Sequence, residues 1–161
     1  MNSQGVPSTR PVAFDGKTGL LIELYQDGTD LGGFLESRDH TNDIKLDKCR
    51  QGLYVVRQTQ ELGRYSGEAF TENFMVAPNG QVVITDMERS SALNDPVAHE
   101  LAAFVYTASR SMKPQELLKL ARELYPAETI RKLPRYSWRM LMFSDPVTVL
   151  KTIEAVKEVR K

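Results

Sequence analysis

Cysteine is almost missing from this chain. Cys49 is the single one among 161 residues. That excludes an intrachain disulfide framework and a thiolate zinc cluster. Histidine is nearly as scarce, with His40 and His99 the only two, so a zinc enzyme would lack most of its usual ligands. Net charge is lacking as well: 21 Lys and Arg balance 21 Asp and Glu. The overall balance therefore gives no pull toward nucleic acid or a membrane surface, and only local basic patches stay open. No apolar run is long enough to span a bilayer, and the N-terminus has no long apolar stretch of the secretory-signal kind. A cytoplasmic, reducing setting without a nucleic-acid partner is the expectation.

What is present suits one domain with a core of its own: 161 residues, 41% of them hydrophobic. No repeat, low-complexity segment or linker divides the chain. Met1 to Gly16 is a polar opening, and residues 1–18 read as an irregular segment, within which Val12 and Phe14 could form a short edge strand. Gly19 to Tyr25 reads as a buried strand bounded by turn residues. Thr29 is placed to cap a helix over Asp30 to Ser37, with Leu31, Phe34 and Leu35 on one face. Arg38 to Asp43 reads as a loop. Leu46, Cys49, Leu53 and Val56 set a helical period over Ile44 to Leu62, which makes Cys49 a small core residue rather than a nucleophile.

Asp95-Pro96 opens an apolar helix reaching about Ser109, and Pro114 opens another carrying Leu117, Leu118, Ala121 and Leu124. Arg131 to Phe143 holds no clear period. Ser144-Asp145-Pro146 starts a last amphipathic helix whose apolar positions are Val147, Leu150, Ile153, Val156 and Val159. The fold class expected is α+β, mainly helical.

The chain is organised around Glu61 to Arg89. Gly63 is a natural helix stop. Phe74 to Val76 and Gln81 to Thr85 are β-prone runs joined by Pro78-Asn79-Gly80, a hairpin signal. Such a hairpin carries Asn73 at its entrance and Asp86 at its exit. An amide oxygen beside a carboxylate is a hard-oxygen site suited to magnesium. On spacing alone the structural reading of these residues, as caps and turn formers, stands well ahead of a metal site.

The order of elements and these residues resemble the C-terminal lobe of the protein-kinase-like superfamily, in its aminoglycoside/choline kinase or lipopolysaccharide kinase flavour. The resemblance runs from about Gly19 to the end, residues 19–161. It implies that Ile22-Glu23-Leu24-Tyr25 with Asp27-Gly28 is the last N-lobe strand and hinge, where Glu23 and Tyr25 meet adenine. Ser66-Gly67-Glu68, with Asn73 five residues after Glu68, has the catalytic-loop spacing, and Thr85-Asp86-Met87-Glu88 matches the magnesium motif. By that likeness Glu68, Asn73 and Asp86 are catalytic, Asn73, Asp86 and Glu88 hold magnesium, and Met75 lies under the adenine ring. Glu100, before Leu101-Ala102, stands where the family's loop-supporting Asp does.

The chain departs from that pattern in four ways. About eighteen residues precede the hinge-like strand, too few for the lobe with the glycine-rich loop and phosphate-clamping lysine. Glu68 replaces the catalytic Asp, which moves the carboxylate by about an ångström. Ser66 replaces a His that anchors the loop, and Phe70 stands where many protein kinases place a lysine. Two readings follow. One is an ATP- and magnesium-dependent phosphotransferase whose activity is degenerate or depends on a partner chain. The other is a non-catalytic pseudokinase module, or a truncated kinase fragment, that binds a protein or a second copy of itself over the missing N-lobe face.

Overall fold

The computed structural model describes residues 11–15, 20–23, 27–85 and 94–159, with the backbone alone for the first two stretches. Among them the fold is α+β and mainly helical. The strands are β1 (Pro11–Asp15), β2 (Leu20–Glu23), β3 (Thr29–Asp30), β4 (Phe74–Val76) and β5 (Val82–Ile84). The helices are α1 (Leu31–Glu36), α2 (Asn42–Glu61), α3 (Pro96–Ala108), α4 (Pro114–Leu124), α5 (Ala127–Arg131), α6 (Ser137–Met140) and α7 (Pro146–Glu158). Short 3₁₀ turns cover Thr71–Asn73 and Leu133–Tyr136.

β1 pairs antiparallel with β2, as the edge-strand reading of Val12 and Phe14 expects, while the rest of residues 1–18 lies outside the described residues. β3, β4 and β5 form an antiparallel sheet in that order. The β4–β5 connection is a type I turn over Ala77 to Gly80, closed by Gly80 N–H to the Ala77 carbonyl at 2.7 Å. Gly80 follows it at φ +79°, while Asn79 keeps a negative φ. Pro78 thus holds the position its fixed φ suits, and only glycine carries the left-handed backbone. Gln51 of α2 covers the outer edge of β5 by accepting the Val82 N–H at 3.1 Å.

α3 is the central helix. Every residue from Ala98 to Ala108 is buried, and α1, α2, α4, α5, α6 and α7 all pack on it. Asp95 caps it by accepting the Ala98 N–H, with Pro96 in the first turn, as the sequence predicts. Cys49 lies in the core, and burial pushes its thiol pKa up to about 12, which leaves it unreactive.

Three expectations shift. Asp30, not Thr29, caps α1: its carboxylate accepts the Gly33 N–H at 2.7 Å, while Thr29 pairs with Val76 in the sheet. α2 begins at Asn42, inside the predicted loop. α7 is rotated: Val149, Thr152, Ala155 and Val156 are buried, whereas Val147 and Leu150 are 58% and 60% exposed. The Thr152 hydroxyl donates to the Thr148 carbonyl at 2.9 Å, so a polar residue enters the core already satisfied.

Gly52 sets the approach of α2 to α3. A Cβ there would lie 2.7 Å from two ring atoms of Phe104 and 3.3 Å from Leu31. Gly52→Ala is therefore expected to destabilise the fold by about 1–3 kcal/mol, despite its better helix propensity. Urea unfolding of both proteins measures this, and an unchanged midpoint would show slack between the two helices.

Candidate functional site

The site is a loop between the end of α2 and the start of β4. Gly63, at φ +67°, stops α2. Its N–H meets the Gln60 carbonyl and the Arg64 N–H meets the Thr59 carbonyl, both at 2.9 Å, which is the paired C-terminal cap that glycine allows. The chain then enters Ser66-Gly67-Glu68 buried at its first two residues and exposed at Glu68.

α3 clamps this loop at both ends. Glu100 is 1% exposed. One of its oxygens accepts from the Ser66 backbone N–H, from the Ser66 hydroxyl at 2.9 Å and from the Gly67 N–H at 3.1 Å. The other accepts from the Gln60 amide at 2.9 Å. Seven residues on, two helical turns along the same face, the Thr107 hydroxyl accepts the Thr71 N–H at 3.1 Å. Burial raises the Glu100 carboxyl pKa above its ordinary value, and the donors from Gln60, Ser66 and Gly67 pull it back down.

Within the clamp, Asn73 closes the loop on itself. Its side-chain N–H donates to the Glu68 carbonyl at 2.7 Å, and the Phe70 N–H donates to the same oxygen, also at 2.7 Å. Engaging the amide nitrogen turns the planar group so that its oxygen remains an acceptor. The Asn73 carbonyl in turn receives the Thr85 N–H at 3.0 Å and the Thr85 hydroxyl at 3.1 Å. The structure thus brings Glu68, Asn73 and Thr85 together. Asp86 and Glu88 lie outside the described residues, as do Tyr25 and the side chain of Glu23.

Met75 is half-buried on β4 and lies against Gly28, where an added Cβ would sit 2.6 Å from its Cγ. Gly28 and Met75 are therefore close neighbours. Phe70 stacks on Phe143 with ring centroids 4.1 Å apart. Among the described residues no group of three or more His, Cys, Asp and Glu is gathered as metal ligands. No helix of the described residues is long and apolar enough to cross a membrane.

Sequence reasoning missed the roles of Gln60, Thr107 and Arg110. Arg110 bridges Glu36 of α1 and Glu72 of the loop. Gln60 and Thr107 sit on helices where a lone polar residue carries no motif; their only signal is a polar side chain at a position the helical period buries. Ser66 was expected to lose an anchor where the likeness has His, yet its hydroxyl and N–H make one with Glu100. A cleft of about 460 Å³, walled by Tyr54, Val55, Val82 and Leu124, shares no residue with the loop.

No family model matches the chain, and no curated protein matches it.

Glu100→Gln keeps the shape but removes the negative charge that the Ser66, Gly67 and Gln60 donors face. It is expected to cost about 1–3 kcal/mol and to speed hydrogen exchange at the Ser66 and Gly67 amides. Unchanged exchange there would remove Glu100 as the loop's anchor.

His99, next to Glu100 on α3, gives the fold a pH dependence. The ring is buried edge-on to Tyr136 at 5.3 Å, with Arg139 3.5 Å from Nε2. Burial, then the Arg139 charge, lowers its pKa below 6.5. The unfolded chain therefore binds the proton more readily than the folded one, so stability present above pH 6.5 is lost as pH falls toward the native value. Wild type is expected to lose more stability than His99→Phe over that window in thermal melts. Parallel curves would show that His99 does not titrate there.

Proposed function

We propose that residues 19–161 form a kinase-like C-lobe with a residual magnesium–ATP floor. The observation that carries this reading is the doubly clamped loop. A buried acidic residue of the central helix holds Ser66 and Gly67, and Asn73 closes back on Glu68 at the catalytic-loop spacing. Asp86 follows Thr85, which is tied to Asn73 by two hydrogen bonds. The free oxygen of Asn73 suits a hard cation, and Asp86 and Glu88 would complete its ligands. Glu23, Tyr25 and Met75 would hold adenine, a role supported by Met75 lying against Gly28.

Bound Mg²⁺–ATP supplies the phosphoryl group and neutralises its charge. Glu68, exposed at the loop's tip, would take the proton of an acceptor hydroxyl. The phosphate clamp would come from a partner chain or from residues outside 19–161. The Phe70–Phe143 stack favours the alternative, a pseudokinase module, because it fixes an apolar ring where a cation would stabilise the transferring group.

Calorimetric titration with ATP, with and without magnesium, tests the floor. Binding is expected to need magnesium and to be lost in Asp86→Asn and in Asn73→Ala. Glu68→Gln should leave binding intact and lower any phosphoryl transfer by about a hundredfold or more. Nucleotide binding that ignores both magnesium and Asp86, or no binding at all, would sink the magnesium–ATP site.

A further inference from the structure

The rotation of α7 leaves an unexplained surface. Six large apolar side chains stand exposed close together in the chain: Trp138, Leu141, Met142, Phe143, Val147 and Leu150, at 64, 50, 78, 43, 58 and 60%. Trp138, Leu141 and Met142 follow one another at helical spacing, since the Leu141 N–H still bonds the Ser137 carbonyl. Val147 and Leu150 are one turn apart on α7. A patch of this kind on a folded protein marks an interaction site.

Charge and shape say what it meets. The chain as a whole is neutral, but residues 131–151 hold exposed Arg131, Arg135, Arg139 and Lys151 against Asp145 as the one carboxylate, with Glu154 a turn beyond Leu150; Lys132 is taken up by Asp95 and Glu128. Asp145 is occupied as the cap of α7, accepting from the Thr148 N–H and hydroxyl at 3.0 and 2.6 Å. Glu36, the carboxylate across a recess from Met142, is paired with Arg110. That recess is walled on its far side by Glu36, Arg110 and Ser111, so it offers no apolar groove to a partner helix. Protruding apolar side chains with a basic surround fit a bilayer interface, where the former seat several ångströms into the headgroup–acyl boundary and the latter meet anionic headgroups. Arg139 lies over the Trp138 ring, 5.2 Å from its centroid, joining the two chemistries in one contact.

We propose that the α6–α7 face docks peripherally on an anionic lipid bilayer. This docking does not depend on nucleotide binding. The Phe143–Phe70 stack would carry the Glu68–Asn73 loop close to the membrane surface.

Trp138 is the sole tryptophan, so its emission reports the patch directly. The full chain would be mixed with phosphatidylcholine vesicles with and without phosphatidylglycerol, and both emission and co-sedimentation read. A blue shift and pelleting that require phosphatidylglycerol are expected. Met142→Asp with Leu150→Asp should weaken binding by about tenfold or more, and Arg135→Glu with Lys151→Glu by roughly fivefold per residue. These side chains are exposed, so circular dichroism should show the variants folded. No shift with anionic vesicles, or equal binding to neutral ones, would overturn the proposal. So would a concentration-dependent dimer that shields Trp138 without lipid, which would assign the face to a second copy.

Discussion

One buried carboxylate organises the middle of this protein. Glu100 sits on a buried, mostly apolar helix, and its desolvation is costly. The cost is offset because two backbone N–H groups, a hydroxyl and an amide all point at it. The backbone donors come from a loop that could not otherwise be buried: Ser66 and Gly67 have neither helix nor sheet partners for those groups. Loop and carboxylate therefore satisfy each other. Thr107, two turns along the same helix, repeats the device at Thr71 with a neutral group. The loop's shape is set by α3 rather than by the hairpin it leads into.

Much of this was legible in the sequence, because the signals were local. Gly63, Asp95-Pro96, Pro114, Asp145-Pro146 and Pro78-Asn79-Gly80 each fix backbone within a few residues, and each element boundary falls beside them. The Glu68–Asn73 spacing was readable for the same reason. The clamp was legible only in part: the resemblance put Glu100 in the loop-supporting place, and Glu100 does hold Ser66 and Gly67. Nothing in sequence separates a buried Gln or Thr from an exposed one except its place on a helical period, so Gln60 and Thr107 carried no signal of their own. Thr29 and Asp30 are adjacent, both can cap and both pair with β4, so only the start of α1 at Leu31 decides between them, by putting the Asp30 carboxylate on the Gly33 N–H.

α7 shows the opposite failure. Its apolar residues outnumber the positions its neighbours can cover. Two faces were available, one through Val147 and Leu150 and one through Val149 and Val156, and both are amphipathic on paper. Packing on α3 and α4 chooses the second, since Thr152 and Ala155 are small enough for close approach and the Thr152 hydroxyl is satisfied within its own helix. A sequence period identifies a helix more firmly than it identifies which side is inside. The displaced face is then a surface property with its own consequences.

The two functional readings differ in rate more than in structure. A loop pinned at Ser66, Gly67 and Thr71 positions Glu68's backbone, but the side chain carries one methylene more than the family pattern has. Misplacing a reacting group by about an ångström costs on the order of a hundredfold in rate, whereas an amide oxygen and a carboxylate bind a hard cation with little regard to that change. On the proposed reading, the same scaffold would hold nucleotide and transfer phosphate poorly. At Glu100 one carboxylate oxygen reaches the Ser66 and Gly67 amides while the other is left for Gln60. The loop's root is thus fixed by hydrogen bonds that do not involve the Glu68 side chain, so a change in length there leaves the anchor intact.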